Sequence, residues 1–125
     1  IDKISEDVLE AGGEVVLQKV KSNLEDVISN DSTGELVSSL GITKVRVDKN
    51  GNYNIKIGFR EPRSDGKSNA MIANIIEYGK HNQPARPFLK PAKTQSKAKC
   101  TEVMKAKLEE EINKLWTFYL KLKLC

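Results

Sequence analysis

Histidine, cysteine and tryptophan are nearly absent: 125 residues hold one His, two Cys and one Trp. His81 stands in a polar loop without a neighbouring Cys or carboxylate cluster, so the side chains that hold a metal or relay a proton do not converge. Cys100 and Cys125 are far apart and form no CxxC pair, which argues against a disulfide scaffold and for free thiols in a reducing compartment. No run of about 18 apolar residues exists, so no transmembrane helix and no membrane partner is expected. The opening IDKISEDVLE is acidic and amphipathic, unlike a signal peptide. There is no Gly-rich phosphate loop, no GxSxG and no HExxH. The run Glu109-Glu110-Glu111 points to different faces of a helix and reads as solvated surface. These absences exclude the common catalytic sites. No enzyme, catalytic residue, metal or cofactor is expected.

What is present suits one domain of 125 residues, with 38% hydrophobic and 30% charged residues. The net charge of +4 is unevenly distributed. Residues 1–48 carry 5 Lys and Arg against 10 Asp and Glu, a net of −5. Residues 49–125 carry 16 against 7, a net of +9. Such a split steers nucleic acid, or pairs copies of the chain acidic face to basic face.

Apolar residues from Ile4 to Ile28 keep helical spacing, with Ser5 as a cap and Glu6 and Asp7 in the first turn. Gly12-Gly13 interrupts this pattern. The pair marks a kink, a close contact with a neighbouring backbone, or a tolerated irregularity. Asn30–Gly34 is a loop, and Glu35–Leu40 a short amphipathic turn stopped by Gly41. Ile42–Asp48 and Tyr53–Arg60 flank Lys49-Asn50-Gly51-Asn52. Tyr53, Ile55, Ile57 and Phe59 alternate with polar residues and glycine, which predicts a β-hairpin with one apolar face. A lone hairpin is marginal in water, so helices must cover that face or another strand must extend it. Glu61–Ser68 has no apolar residue and reads as a mobile loop. A middle helix runs over Asn69–Tyr78, with Met71 or Ile72, Ile75, Ile76 and Tyr78 inward, and Gly79 ends it.

Three prolines then punctuate a basic–aromatic elbow, Pro84-Ala85-Arg86-Pro87-Phe88-Leu89-Lys90-Pro91. From Pro91 a last helix runs to at least Leu115. Met104, Leu108, Ile112, Leu115, Tyr119 and Leu122 form a stripe close to a heptad. Carried to Leu122 the helix spans about 48 Å at roughly 1.5 Å per residue. Trp116–Cys125 reads as a projecting tail, or as a strand because leucine and lysine alternate there.

A shaped elbow suits protein docking. The interface candidates are Tyr78, Arg86, Phe88, Lys90, Arg63 and Lys67. For Tyr78 and Phe88 the competing reading is a buried hinge. Nine basic residues from Arg60 to Lys99 surround the elbow. They leave a basic nucleic-acid-binding module as the alternative function, although the aromatics are not interleaved as a stacking platform needs. A small toxin-like or regulatory enzyme would need a clustered polar site, which is absent.

Three elements in order resemble the family of phage head–tail joining proteins typified by gene product ten of a lambdoid phage. They are Thr33, Gly34, Leu36, Ser39 and Leu40; Glu77-Tyr78-Gly79; and Pro84–Pro91 with Ala92. The resemblance spans roughly Asp2–Leu115, with Lys80 where threonine is frequent and a more aromatic tail. It implies a virion protein at the head–tail junction, assembled in the host cytoplasm. It further implies a homo-oligomeric ring, often a hexamer, that touches connector or adaptor and tail tube proteins while genomic DNA passes through the lumen. The expected fold is α+β: an N-terminal helix, a small antiparallel sheet built on a β-hairpin, a middle helix and a long C-terminal helix.

Overall fold

The computed structural model describes residues 3–28, 34–61 and 63–124, with 122–124 by backbone alone. Thr33, Pro62, Cys125, most of the Asn30–Gly34 loop and the side chain of Leu122 therefore lie outside the described residues. The architecture is α+β, as the sequence pattern predicts. Helix α1 (Lys3–Val27) leads to a short α2 (Glu35–Ser39). Strands β1 (Leu40–Ile42), β2 (Arg46–Val47), β3 (Tyr53–Asn54) and β4 (Ile57–Phe59) follow, then α3 (Asn69–Tyr78) and α4 (Leu89–Leu124). The core gathers Val20 and Leu24 of α1, Leu36, Ala73, Ile76, Phe88 and Ala92.

Helix α1 begins at Lys3, so Ser5 lies inside it rather than capping it. The helix continues through both glycines because other elements press on it there. A Cβ on Gly12 would stand 2.6 Å from Met104 Cγ and Sδ, and one on Gly13 would stand 2.5 Å from Ile42 Cδ1. Gly12 thus admits α4 and Gly13 admits the hairpin. The close contact is with side chains, not with a neighbouring backbone. The Cys100 thiol is free, half-buried in this seam, and donates to Gly12 O at 3.4 Å. Asn23 Nδ2 meets Gln95 Oε1 at 3.1 Å near the other end of α1, so α1 and α4 run antiparallel. The acidic and basic halves of the sequence therefore lie side by side, not at two ends of the molecule.

The four strands are one hairpin with a break in its register. Ile42 pairs with Ile57, but Arg46 pairs with Asn54. Three residues on the first arm (Thr43–Val45) oppose two on the second, which is a bulge. The extra residue changes the parity of the arm, so Val45, not Lys44, joins the buried side. Thr43 N–H donates to Lys56 O at 2.8 Å and Lys56 N–H to Thr43 Oγ1 at 2.9 Å, which holds the break closed. At the tip, Asp48 Oδ1 accepts from Asn50 and Asn52 N–H, and Gly51 takes φ 82°. The first arm starts earlier than expected. Gly41 does not stop a turn but pairs with Gly58 inside the strand.

Glu61–Ser68, expected as a mobile loop, is bonded to its surroundings. Ser64 N–H and hydroxyl donate to Glu35 of α2 at 2.6 and 2.9 Å, and Glu61 accepts Ala70 N–H at 2.8 Å. Ser68 caps α3 by accepting Met71 N–H at 3.2 Å. Buried Asn69 joins both ends, donating to Arg60 O at 2.6 Å and accepting from Arg63 Nη1 at 2.8 Å.

Helix α4 starts two residues before Pro91 and continues to Leu124, 36 residues or about 54 Å. The terminal strand does not form. A strand needs a neighbour for its N–H and C=O groups, whereas a helix satisfies its own. Gly13→Val is expected to lower stability by about 1–3 kcal/mol in urea unfolding, because a branched side chain must displace Ile42 from the seam.

Candidate assembly surface

The last turn of α3 holds an acid, Glu77, where the helix dipole disfavours negative charge. Its partner lies across the elbow. Glu77 is only 3% exposed, and its carboxylate accepts N–H bonds from Phe88 (2.9 Å), Leu89 (2.7 Å) and Lys90 (3.2 Å). These donors open α4, whose own first turn has no acid. Pro91 follows and needs no acceptor. Burial alone would push the Glu77 carboxyl upward. The N–H donors of Leu89, Phe88 and Lys90, with the Lys90 ammonium, outweigh burial and hold it below the ordinary carboxylate range.

The chain must reverse tightly to bring this about. Gly79 takes φ 77°, and a Cβ there would stand 2.7 Å from Ala85 N and 2.8 Å from Gln83 O. Lys80 and Gln83 exchange N–H···O bonds of 2.9 Å around a turn in which Asn82 takes φ 66°. His81 is exposed in that turn. Arg86 then donates its N–H to Ile76 O at 2.7 Å and its guanidinium to Val27 O. Val27 ends α1, whose last turn has no basic residue, so Arg86 supplies the cation that the dipole favours there. The elbow thus brings an anion to the start of one helix and a cation to the end of another.

The sequence-predicted interface residues separate into two groups. Phe88 is fully buried, edge-on to Phe59 with centroids 6.3 Å apart, and presents no surface. Arg86 is half-buried on α1. Arg63 is tied to its own chain by Glu35 at 3.8 Å, Asp65 at 3.3 Å and Asn69. Lys67 and Lys90 are exposed, and Tyr78 is 75% exposed. In the middle helix Ile72, Ile75 and Ile76 turn inward as expected, but in its last turn Tyr78 turns outward and Glu77 inward. The physical reason is the row of unpaired N–H groups at the start of α4. An acid in a helix's last turn was the sequence signal for it.

A run of exposed apolar residues lies elsewhere, at the end of α4. Leu108 lies near Ile4 of α1. Past it, Ile112, Leu115, Trp116, Phe118, Tyr119 and Leu120 are all exposed. Trp116 and Tyr119 stack with centroids 5.4 Å apart. Among the described residues, no three His, Cys, Asp or Glu side chains group as metal ligands, and no helix is long and apolar enough to cross a membrane.

Residues 1–79 match the family described as "Bacteriophage HK97-gp10, putative tail-component". No curated protein and no solved structure matches. The matched span runs from α1 to Glu77-Tyr78-Gly79 and ends before the proline elbow, short of the Asp2–Leu115 span that the resemblance suggested. Within it, Gly34 takes φ 81° ahead of α2, Leu36 is in the core and Ser39 is buried with its hydroxyl donating to Leu36 O at 2.7 Å.

Glu77→Gln is expected to cost about 2 kcal/mol, since the bonds to a charged acceptor weaken. Because the Glu77 pKa is lowered by folding, its contribution is complete above the unfolded carboxylate value and is lost as pH falls through the folded value. Denaturant unfolding between neutral and acid pH should show a shallower acid loss in the variant than in the wild type. Phe88→Ala should cost about 3–5 kcal/mol in the same experiment.

Proposed function

We propose that this chain, which belongs to the HK97-gp10-like family of phage tail components, is a structural virion protein that joins head and tail. In this reading it closes into a homo-oligomeric ring, often of six subunits, between the capsid connector or adaptor and the tail tube. Genomic DNA passes through the lumen without sequence-specific contact. The protein acts by assembly and not by catalysis.

The observation that carries the reading is the end of α4. Six large apolar side chains between Ile112 and Leu120 stand exposed on one helix. A helix that is apolar on most sides is normally enclosed, and a contiguous exposed patch of this kind marks a protein contact. Three of the six, Trp116, Phe118 and Tyr119, are aromatic, and Trp and Tyr are enriched at the energetic centres of protein interfaces. This supports a subunit that is finished only in the company of others.

Size exclusion with light scattering over a range of concentrations, with negative-stain images of any large species, tests the proposal. A discrete ring is the expected result. Trp116→Ala with Tyr119→Ala should abolish that assembly, or its capture by a connector or tail tube. Thermal stability of the subunit should stay within about 0.5 kcal/mol of wild type, as for surface substitutions. A double variant that assembles like the wild type would remove the α4 end from the account.

A further inference from the structure

The outer face of the hairpin carries a row of cations. Ile57 and Phe59 turn inward, so the register places Arg46, Lys56 and Arg60 on the opposite side, and Lys44 stands exposed in the bulge. Arg60 also donates to Ser38 O at 3.2 Å. Among the described residues none of the four makes an ion pair. On the same face Gly41 pairs with Gly58, and a Cβ on either would meet nothing within 4 Å. The middle of this face is bare backbone inside a basic rim, open to close approach.

The complementary surface is on α1. Glu10, Glu14, Gln18, Ser22, Glu25 and Asp26 are exposed, and their spacing puts them along one side of the helix. Lys21 is the one cation among them. Among the described residues these four acids form no ion pair either. Glu10 to Asp26 rises about 24 Å, and the hairpin arm from Leu40 to Asp48 extends about 26 Å. The two surfaces match in length and oppose in charge. One subunit cannot join them, because the inner face of its hairpin already lies on α1 at Gly13.

We propose that the basic outer face of the hairpin docks on the acidic stripe of α1 in a second copy of this chain. The inference rests on the ring reading above and names its subunit contact. Two different patches meet, so the contact is head-to-tail and repeats into a ring when the rotation closes. Duplex DNA is the competing occupant of the basic face. A second copy is favoured because the chain carries its own matching acids outside any ion pair, Glu14 accepting from the neutral Gln18 amide at 2.8 Å.

The test is charge exchange followed by sedimentation velocity in about 50 mM and about 500 mM salt. Arg46→Glu with Lys56→Glu, and separately Glu10→Lys with Glu14→Lys, should each weaken association by at least about tenfold in low salt. The chain carrying all four substitutions should recover to within about threefold of wild type. Thermal melting of each variant checks that the fold survives. If wild type assembles and neither reversal weakens it, this contact is wrong and the ring reading stands. If wild type is a monomer at every concentration, both fall. If hairpin reversal leaves assembly intact but abolishes salt-dependent binding to duplex DNA, the face belongs to phosphates and the proposal is overturned.

Discussion

The structure depends on one buried carboxylate. A 36-residue helix begins against the core, beside fully buried Phe88, and its first N–H groups have no acceptor within the helix. Glu77 reaches them from the end of α3. That single acceptor sets where α4 starts and in which direction it leaves. Its position in turn requires Gly79, since only glycine allows both the backbone angle and the close approach of Ala85 and Gln83. Arg86 completes the joint by taking the free carbonyl at the end of α1. Glu77, Gly79 and Arg86 are therefore parts of one device that fixes three helices relative to one another.

With α4 so directed, α1 becomes the centre of the packing. Gly12 and Gly13 give its two neighbours room, α4 on one side and the hairpin on the other. Two adjacent residues on a helix point about 100° apart. A Gly-Gly step therefore thins the helix toward two partners at once. Cover along α4 stops where α1 begins, with Leu108 beside Ile4. The remaining length of α4 has no described partner helix beside it, yet it holds the densest group of large apolar side chains in the chain. Family membership over residues 1–79 marks a phage tail component, and the uncovered end of α4 lies outside the matched span.

Much of the fold was legible because it follows from local periodicity. The hairpin was written in the alternation from Tyr53 to Phe59 and in Asn50-Gly51. The middle helix was bounded by Ser68 and Gly79, and its limits agree with the sequence reading. The bulge was encoded in the parity change between Ile42 and Val45 but needed the second arm to be seen. Residues whose roles depend on distant neighbours were not legible. Tyr78 and Phe88 each read as a buried hinge or an interface anchor, and the fold separates them: Phe88 fills the core and Tyr78 stands exposed. Arg86, read as an interface candidate, caps α1, and Glu77, part of a motif without an assigned contact, caps α4. The loop at Glu61–Ser68 has no apolar residue, yet Glu35, 29 positions before Ser64, holds it.

By itself the sequence determined the element types, the α+β class and the absence of the common catalytic motifs, because periodicity, turn chemistry and residue inventory act over short spans. Tertiary structure alone decided which charged residues are structural and which are free. The sequence separates a net-acidic stretch, residues 1–48, from a net-basic remainder, but antiparallel packing of α1 on α4 lays the two alongside each other. Glu77 and Arg86 were spent inside on helix ends, whereas Arg46, Lys56, Glu10 and Glu14 were left outside. The reason is that a helix end needs a counter-charge wherever folding places it, and only the folded chain determines which residue is within reach.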